Sequence, residues 1–180
     1  NVTTGTSNTS LGGLSGDSLT TGSNNTALGY ASLSGDIAGA DNVAVGFGAM
    51  SATDNARANV AIGFNALTAL DYGTLTYSHN IAIGFEAGKA ITTGTLNTIM
   101  GGQAGDALTT GSSNVAIGTL ALSTEDVGSR CVAVGYAALS VQNIDGDVYN
   151  TAVGHAAGGA ITSGVRNTIM GGLAGDALTT

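Results

Sequence analysis

Several residue types are scarce in this chain. Proline and tryptophan are absent from its 180 residues, and cysteine occurs once, at Cys131. A single cysteine excludes an intramolecular disulfide, so the chain is not a disulfide-stapled scaffold. Charged residues make up 9% of the sequence, against roughly 25% in an average globular domain. There is no run of about 18 apolar residues, which predicts that no segment crosses a bilayer.

Basic residues are especially few. The four are Arg57, Lys89, Arg130 and Arg166, against 12 acidic residues and a net charge of −8. Affinity for nucleic acid comes mainly from Lys and Arg side chains that neutralise phosphates. Anionic membrane surfaces attract the same side chains. We therefore expect no nucleic-acid partner and no direct membrane insertion.

Glycine is abundant, with 30 residues, and much of it recurs at a fixed interval. The stretch "NVAVGFGAM" from Asn42 returns as "NVAIGFNAL" from Asn59. We call the motif glycine position 0, and together these residues form the glycine column. Its members are Gly12, Gly29, Gly46, Gly63, Gly84, Gly101, Gly118, Gly135, Gly154 and Gly171. Such spacing is typical of a repeat architecture.

The intervals within the glycine column define the organisation of the chain. They are 17 residues, except for one of 21 after Gly63 and one of 19 after Gly135. Residues 91–110 also match residues 161–180 at an offset of 70. We predict one repeat region over residues 1–180, with about ten coils of 17–21 residues. We expect it to be a fragment of a longer fibre.

Two further columns flank each glycine. Four residues earlier stands Asn in nine of the ten copies, with Cys131 as the exception. This asparagine column includes Asn25, Asn42, Asn59, Asn80, Asn97, Asn114, Asn150 and Asn167. One residue before the glycine is always aliphatic or Met. This aliphatic column includes Leu28, Val45, Ile62, Ile83, Met100, Ile117, Val134, Val153 and Met170.

The repeat unit predicts the fold class. Alternation of larger and smaller side chains over five residues indicates a short β-strand. The Gly, Thr and Ser stretches between copies, such as "LTTGSNN", indicate turns. One short strand per 17 residues favours an all-β, parallel β-solenoid. Stacking also explains the asparagine column, because amides one coil apart can hydrogen-bond in a ladder.

The orientation of the strands decides what the aliphatic column does. Alternate side chains of a strand point to opposite faces. If Ala and Gly fill the coil, the aliphatic column points outward as a continuous apolar stripe. Soluble monomers rarely expose such a stripe, so copies of the same chain would cover it. We favour this arrangement, and the aliphatic column then supplies the interface residues. With the opposite orientation the column fills the coil, and the argument for an oligomer weakens.

The repeats resemble a known family. The motif "NVAIG" followed by two variable residues and a small one, as in residues 59–66, is similar to the head repeats of trimeric autotransporter adhesins, the YadA-like heads. The form "NTALGYASL" from Asn25, spaced by "TTGSNN", resembles repeats of some bacteriophage tail fibres. The resemblance implies a left-handed β-roll, a homotrimeric fibre, and Val and Ile side chains packed toward the threefold axis. No neck, heptad stalk or anchor domain is visible in these residues.

Catalytic and metal-binding patterns are weak. His79 and His155 are the only histidines, and neither stands in a nucleophile–base–acid pattern. The segment "GGQAGDALTT" supplies one carboxylate per coil, whereas Ca²⁺ takes six to eight oxygen ligands. We predict no enzyme activity, no catalytic residue, no metal site and no cofactor. A Ca²⁺-dependent domain or an enzyme is the least favoured hypothesis.

Recognition is expected at the two insertions, because protruding loops on a rigid scaffold commonly carry binding. Residues 71–79 and 141–149 contain the candidate ligand contacts, which are Tyr72, Tyr77, His79, Asp145, Asp147 and Tyr149. Aromatic residues also follow the column glycine in five copies. We favour coil-on-coil ring packing for these aromatics. The alternative is a platform for sugar rings.

These observations lead to two functional hypotheses of different kinds. The first is a structural shaft or head segment of a trimeric extracellular adhesive fibre, in a bacterial adhesin or a phage tail fibre. Its partners would be its own copies and a host surface glycan or matrix protein, and its location a cell surface or a virion appendage. The alternative is a non-adhesive, self-assembling β-solenoid filament or sheath protein.

Overall fold

The computed structural model describes residues 3–180 as an all-β parallel solenoid of ten coils. No helix occurs among these residues. The predicted fold class is therefore confirmed, with one short strand in each repeat. A coil is defined below by its column glycine.

The coils contribute ten three-residue strands to one sheet. These strands are Thr9–Leu11 (β1), Thr26–Leu28 (β2), Val43–Val45 (β3), Val60–Ile62 (β5), Ile81–Ile83 (β7), Thr98–Met100 (β8), Val115–Ile117 (β9), Val132–Val134 (β10), Thr151–Val153 (β11) and Thr168–Met170 (β12). They neighbour one another in chain order, and every pair is parallel.

The register places equivalent repeat positions side by side. Ala44 lies opposite Ala61, and Val45 lies opposite Ile62. The backbone N–H of Val43 donates to the carbonyl oxygen of Asn59 at 2.8 Å. The N–H of Gly46 donates in the other direction, to the carbonyl oxygen of Leu28 at 2.8 Å. Each coil is thereby bonded to both of its neighbours, and the predicted columns are physical stacks.

The first insertion forms a second, two-stranded parallel sheet instead of a loop. Strand Asp71–Tyr77 (β6) pairs with Asp54–Arg57 (β4), and the register shifts between Asp54 and Ala56. The extra residues of the 21-residue coil lie within β6, which is seven residues long. The expected protruding loop is thus hydrogen-bonded to the preceding coil, because the backbone groups of β4 are available for pairing.

The glycine column is required by backbone geometry. Its members have φ between 118° and 143°, a region open essentially to glycine alone. A Cβ on Gly63 would lie 2.3 Å from the carbonyl oxygen of Gly84, and one on Gly84 would lie 2.5 Å from that of Gly101. Stacked backbone therefore fills the space that a side chain would need.

Three other positions of each coil are left-handed corners. The residues at −5, +2 and +4 relative to the column glycine all have positive φ, and many of them are not glycine. Leu33, Arg130 and Tyr149 are examples, with φ of 51°, 64° and 58°. Such conformations cost on the order of 1 kcal/mol per non-glycine residue and persist only where the surroundings impose them. Here the hydrogen bonds between coils impose them.

Small side chains fill the inside of the sheet. The central strand residue is Ala or Ile in the nine coils from Gly29 to Gly171 and is buried in all of them, as at Ala44, Ala61 and Ile99. Position +7 adds a buried Leu or Ile in five coils, as at Leu70 and Ile91. The aliphatic column, on the alternate parity, points outward. The favoured orientation is confirmed.

Two coils replace the apolar residue at position +7 with a carboxylate. Buried Asp36 accepts a hydrogen bond from the Gly39 N–H at 2.7 Å, but its Oδ2 atom has no partner. Burial raises the pKa of the Asp36 carboxyl to about 6, the hydrogen bond from Gly39 opposes this, and the nearby Asp54 charge adds to it. Glu125, one methylene longer, is bonded by the N–H of Gly128 and the Nε2 of Gln142.

The glycine column provides a test of the stacking geometry. We expect Gly84→Ala to lower the free energy of unfolding by about 3 kcal/mol or more, because its Cβ overlaps the Gly101 carbonyl at a φ of 140°. The control is Gly102→Ala, where a Cβ meets no atom within 4 Å and should change stability by less than about 0.5 kcal/mol. Chemical denaturation measures both. Equal losses in the two variants would contradict the geometry.

The buried Asp36 carboxyl predicts a dependence of stability on pH. Its folded pKa of about 6 lies above the ordinary value of 3.8, so the folded chain binds more protons than the unfolded chain between these values. Stability from this group therefore rises as pH falls, by about 1.4 kcal/mol between pH 8 and pH 5.

The variant Asp36→Asn isolates this contribution, since other carboxylates titrate in both proteins. We expect the unfolding free energy of Asp36→Asn minus that of the parent chain to fall by about 1.4 kcal/mol between pH 8 and pH 5, because only the parent gains stability from this group. Denaturant titrations at the two pH values measure it. A pH-independent difference would show that Asp36 titrates normally.

Candidate functional site

Most side chains of the asparagine column are buried and join successive coils by hydrogen bonds. The Oδ1 atom of Asn42 accepts the backbone N–H of Asn59 at 3.0 Å, and its Nδ2 donates to the carbonyl oxygen of Ala56 at 2.8 Å. The same pair of contacts recurs at Asn97 and Asn114. Amide-to-amide bonds occur at only some steps, as from Asn59 Nδ2 to Asn42 Oδ1 at 3.1 Å. The ladder predicted from sequence is therefore built mainly from side chain to backbone.

Cys131 interrupts this column and is buried. Its backbone N–H still donates to Asn114 Oδ1 at 2.9 Å. Its Sγ lies 3.2 Å from the Nε2 of Gln142, and the Oε1 of Gln142 accepts from Asn150 Nδ2 at 2.7 Å. Burial raises the pKa of the Cys131 thiol. The site is a structural substitution in which Gln142 takes over part of the amide's role.

The aliphatic column is exposed along the whole solenoid. Ile62 is 37% exposed, Met100 38% and Leu28 44%, and the Val members are half-buried. Position −3 carries Val, Ile or Thr in every coil. The outer face of the ten-stranded sheet therefore bears one apolar row and, beside it, a mixed row of Val, Ile and Thr, and neither row contains a charged side chain.

An aromatic column runs beside the aliphatic column, on the other side of the glycines. Tyr30, Phe47, Phe64 and Phe85 stack with ring centroids 5.2–5.3 Å apart. A second stack joins Tyr136 and His155 at 5.2 Å, so His155 takes the place of an aromatic residue in this column. Between the stacks the column holds Gly102 and Thr119. Ring packing is thus present, and each stack ends at a glycine or threonine.

A polar cluster adjoins the end of the first stack, and the sequence analysis missed it. Glu86 Oε2 accepts from Lys89 Nζ at 2.9 Å and from Gln103 Nε2 at 3.3 Å. The hydrogen bond from Lys89 lowers the pKa of Glu86. Burial raises the pKa of Asp106, the Lys89 charge opposes this, and the Oδ1 of Asp106 has no partner. The 17-residue offset could have revealed the cluster, since it places Glu86 next to Gln103 and Lys89 next to Asp106.

The first insertion divides its candidate contact residues between interior and surface. The hydroxyl of Tyr72 donates to the Gly94 carbonyl oxygen at 2.6 Å and receives Asn80 Nδ2 at 3.2 Å, so Tyr72 is used inside the coil. Tyr77 is exposed, stacks on His79 at 5.9 Å, and lies under the Arg57 guanidinium at 5.5 Å. Tyr77 and His79 remain available for a ligand.

The second insertion repeats this arginine–tyrosine arrangement. The guanidinium of Arg130 lies 5.6 Å from the centroid of the exposed Tyr149 ring and forms an ion pair with Asp147. Asp145 is exposed in the same segment. The structure thus brings Asp147 and Tyr149 together through Arg130. This group lies four coils after the Arg57–Tyr77 pair.

The described residues contain neither a metal-binding cluster of side chains nor a membrane-spanning helix. In residues 3–180 no group of three or more His, Cys, Asp or Glu side chains is placed to hold a metal ion. The same part of the chain contains no enclosed pocket. None of its elements is a helix long and apolar enough to cross a membrane. The surface features available for binding are the two exposed columns and the side chains beside them.

Comparisons with protein families, with curated proteins and with solved structures found no match to this chain. The resemblance to trimeric adhesin heads and tail fibres therefore rests on the repeat motif alone.

Proposed function

We propose that this chain is a shaft or head segment of a homotrimeric extracellular fibre that attaches a bacterial cell or a virion to a host surface. In this proposal three solenoids, wound as left-handed β-rolls, lie side by side along one axis. The chain has a structural and binding role and catalyses no reaction.

The exposed aliphatic column carries the proposal. Several members of the column keep about a third of their surface or more in water, as Leu28 and Ile62 do. The column continues from coil to coil without a charged residue. Water-exposed apolar surface costs roughly 25 cal/mol per Å². Contiguous patches larger than a few hundred Å² mark interaction sites.

Copies of the same chain suit this column better than an unrelated partner does. In a rotationally symmetric, parallel assembly each coil meets the same coil of its neighbours. Side chains of similar size, such as Val45, Ile62 and Ile83, then meet at every level along the axis. Neighbouring parallel strands lie about 4.8 Å apart. Because this spacing is the same in all three chains, equivalent coils stay level with one another along the axis.

The attachment role is supported by the exposed groups at the insertions. Tyr77, His79 and Tyr149 project from a rigid scaffold, and such positions commonly carry recognition. A non-adhesive filament of the same solenoid is the alternative. It shares the fold and differs in growing without limit instead of closing as a trimer.

The oligomeric state tests this proposal. Light scattering of the purified chain should give three times the chain mass of 17.4 kDa. A stable monomer would contradict the covered aliphatic column. Particles that grow continuously with concentration would favour the filament.

A charge placed in the aliphatic column should disrupt the assembly. Ile62→Asp puts a carboxylate where the proposal buries a methyl-rich side chain, so we expect dissociation or loss of cooperative unfolding. The matched control is Ser113→Asp, at the −5 corner, where Asp41 is the native residue of another coil. That variant should remain trimeric. An unchanged mass for Ile62→Asp would show that the aliphatic column lies outside the interface.

A further inference from the structure

The first aromatic stack ends in an open ring face. Phe85 stacks on Phe64 at 5.3 Å on one side, and the next member of the column on the other side is Gly102. Apart from its chain neighbours, a Cβ at Gly102 would meet no atom within 4 Å, so no side chain of this column covers that face of the Phe85 ring. Phe85 is 53% exposed. We call the surface formed by the Gly102 backbone and the exposed face of the Phe85 ring the Phe85–Gly102 shelf.

Hydrogen-bonding groups of both kinds border this shelf. The backbone N–H of Gln103 donates to the Phe85 carbonyl oxygen at 2.8 Å, which places the Gln103 backbone beside that of Phe85. The Glu86 carboxylate holds both the Gln103 amide and the Lys89 ammonium. Asp106 lies near Lys89 and Glu86, and its Oδ1 atom is buried. The border therefore offers donors and acceptors, and its one ammonium and two carboxylates give it a net charge of −1.

We infer that the Phe85–Gly102 shelf binds a neutral pyranose ring of a glycan. A pyranose has one face of C–H groups, which suits an aromatic ring, and an edge of hydroxyls that both donate and accept. The Phe85 face takes the C–H groups, and Glu86, Lys89 and Gln103 take the hydroxyls. An acidic sugar fits less well, because Glu86 and Asp106 repel its carboxylate. The inference rests on the proposed attachment function, whose receptor class it names.

The chain contains a natural comparison for this site. The second stack ends in the same way, with His155 next to Gly172, where a Cβ would lie no closer than 3.9 Å to any atom. The polar border is missing there, since Glu86, Lys89 and Gln103 are replaced by Ala156, Gly159 and Leu173. The inference therefore assigns binding to the Phe85 shelf and none to the His155 shelf.

Saturation-transfer NMR on the full chain tests the site. The probes are the methyl pyranosides of glucose, galactose, mannose and N-acetylglucosamine, with the acyclic polyol sorbitol as a negative control. We expect transfer to the ring C–H protons of at least one pyranoside and none to sorbitol. The absence of transfer to all four pyranosides overturns the inference, as does equal transfer to sorbitol.

Variants locate the binding on the chain. Phe85→Thr removes the aromatic wall and Gly102→Thr fills the shelf, and both use the residue found at Thr119 of the same column. Gln103→Leu copies Leu173 and removes a hydrogen-bonding group. Each should weaken binding about tenfold or more, whereas His155→Thr should not change it. Circular dichroism confirms that each variant is folded. Binding that survives both Phe85→Thr and Gly102→Thr overturns the inference.

The same samples separate this inference from the proposed function. Their masses are measured by light scattering alongside the NMR experiment. A monomer that binds a pyranoside at Phe85 contradicts the fibre and supports the site. A trimer that binds none of the four pyranosides supports the fibre and overturns the site.

Discussion

Each coil is hydrogen-bonded to the next through the same positions of the repeat, as when the Val43 N–H donates to the Asn59 carbonyl oxygen at 2.8 Å. This pairing sets the other features of the chain. Because backbones stack directly, glycine is required where φ lies near 130° and a Cβ would overlap the next carbonyl. Because amide groups at each corner recur one coil apart, one asparagine per coil can satisfy them by the same two contacts. A substitution in one coil therefore affects its hydrogen bonds to both neighbouring coils.

The thin cross-section follows from the same constraint and determines what the outside must do. The inward strand position holds only Ala, Ser or Ile, so the larger aliphatic side chains of the strand lie on the outer face. Hydrogen bonds between coils stabilise such a solenoid along its axis. On the outer face of the sheet, one row of apolar side chains stays exposed to water. The proposed trimer resolves this conflict, because three identical rows can shield one another at every level.

Departures from the repeat mark where this scaffold differs from a plain shaft. The 21-residue coil adds β6 and the exposed Tyr77 and His79, and the 19-residue coil adds Asp147 and Tyr149 beside Arg130. The change from aromatic to glycine between Phe85 and Gly102 ends the first ring stack beside the Glu86–Lys89–Gln103 cluster. Regular positions provide stability, and irregular positions provide the chemistry by which a surface could be recognised.

The sequence by itself determined the coil number, the strand in each repeat, the parallel order and the glycine and asparagine columns, because stacking makes equivalent positions contacts and leaves a visible 17-residue period. Only the tertiary structure decided the rest. The left-handed corners at Leu33 or Arg130 oppose local preference and are imposed by hydrogen bonds to other coils. The inward bond of the Tyr72 hydroxyl and the pairing of β6 with β4 depend on how an insertion finds free backbone groups. The Glu86–Lys89–Gln103 cluster joins residues on adjacent coils. The 17-residue period places Glu86 next to Gln103, but only the structure shows that their side chains bond.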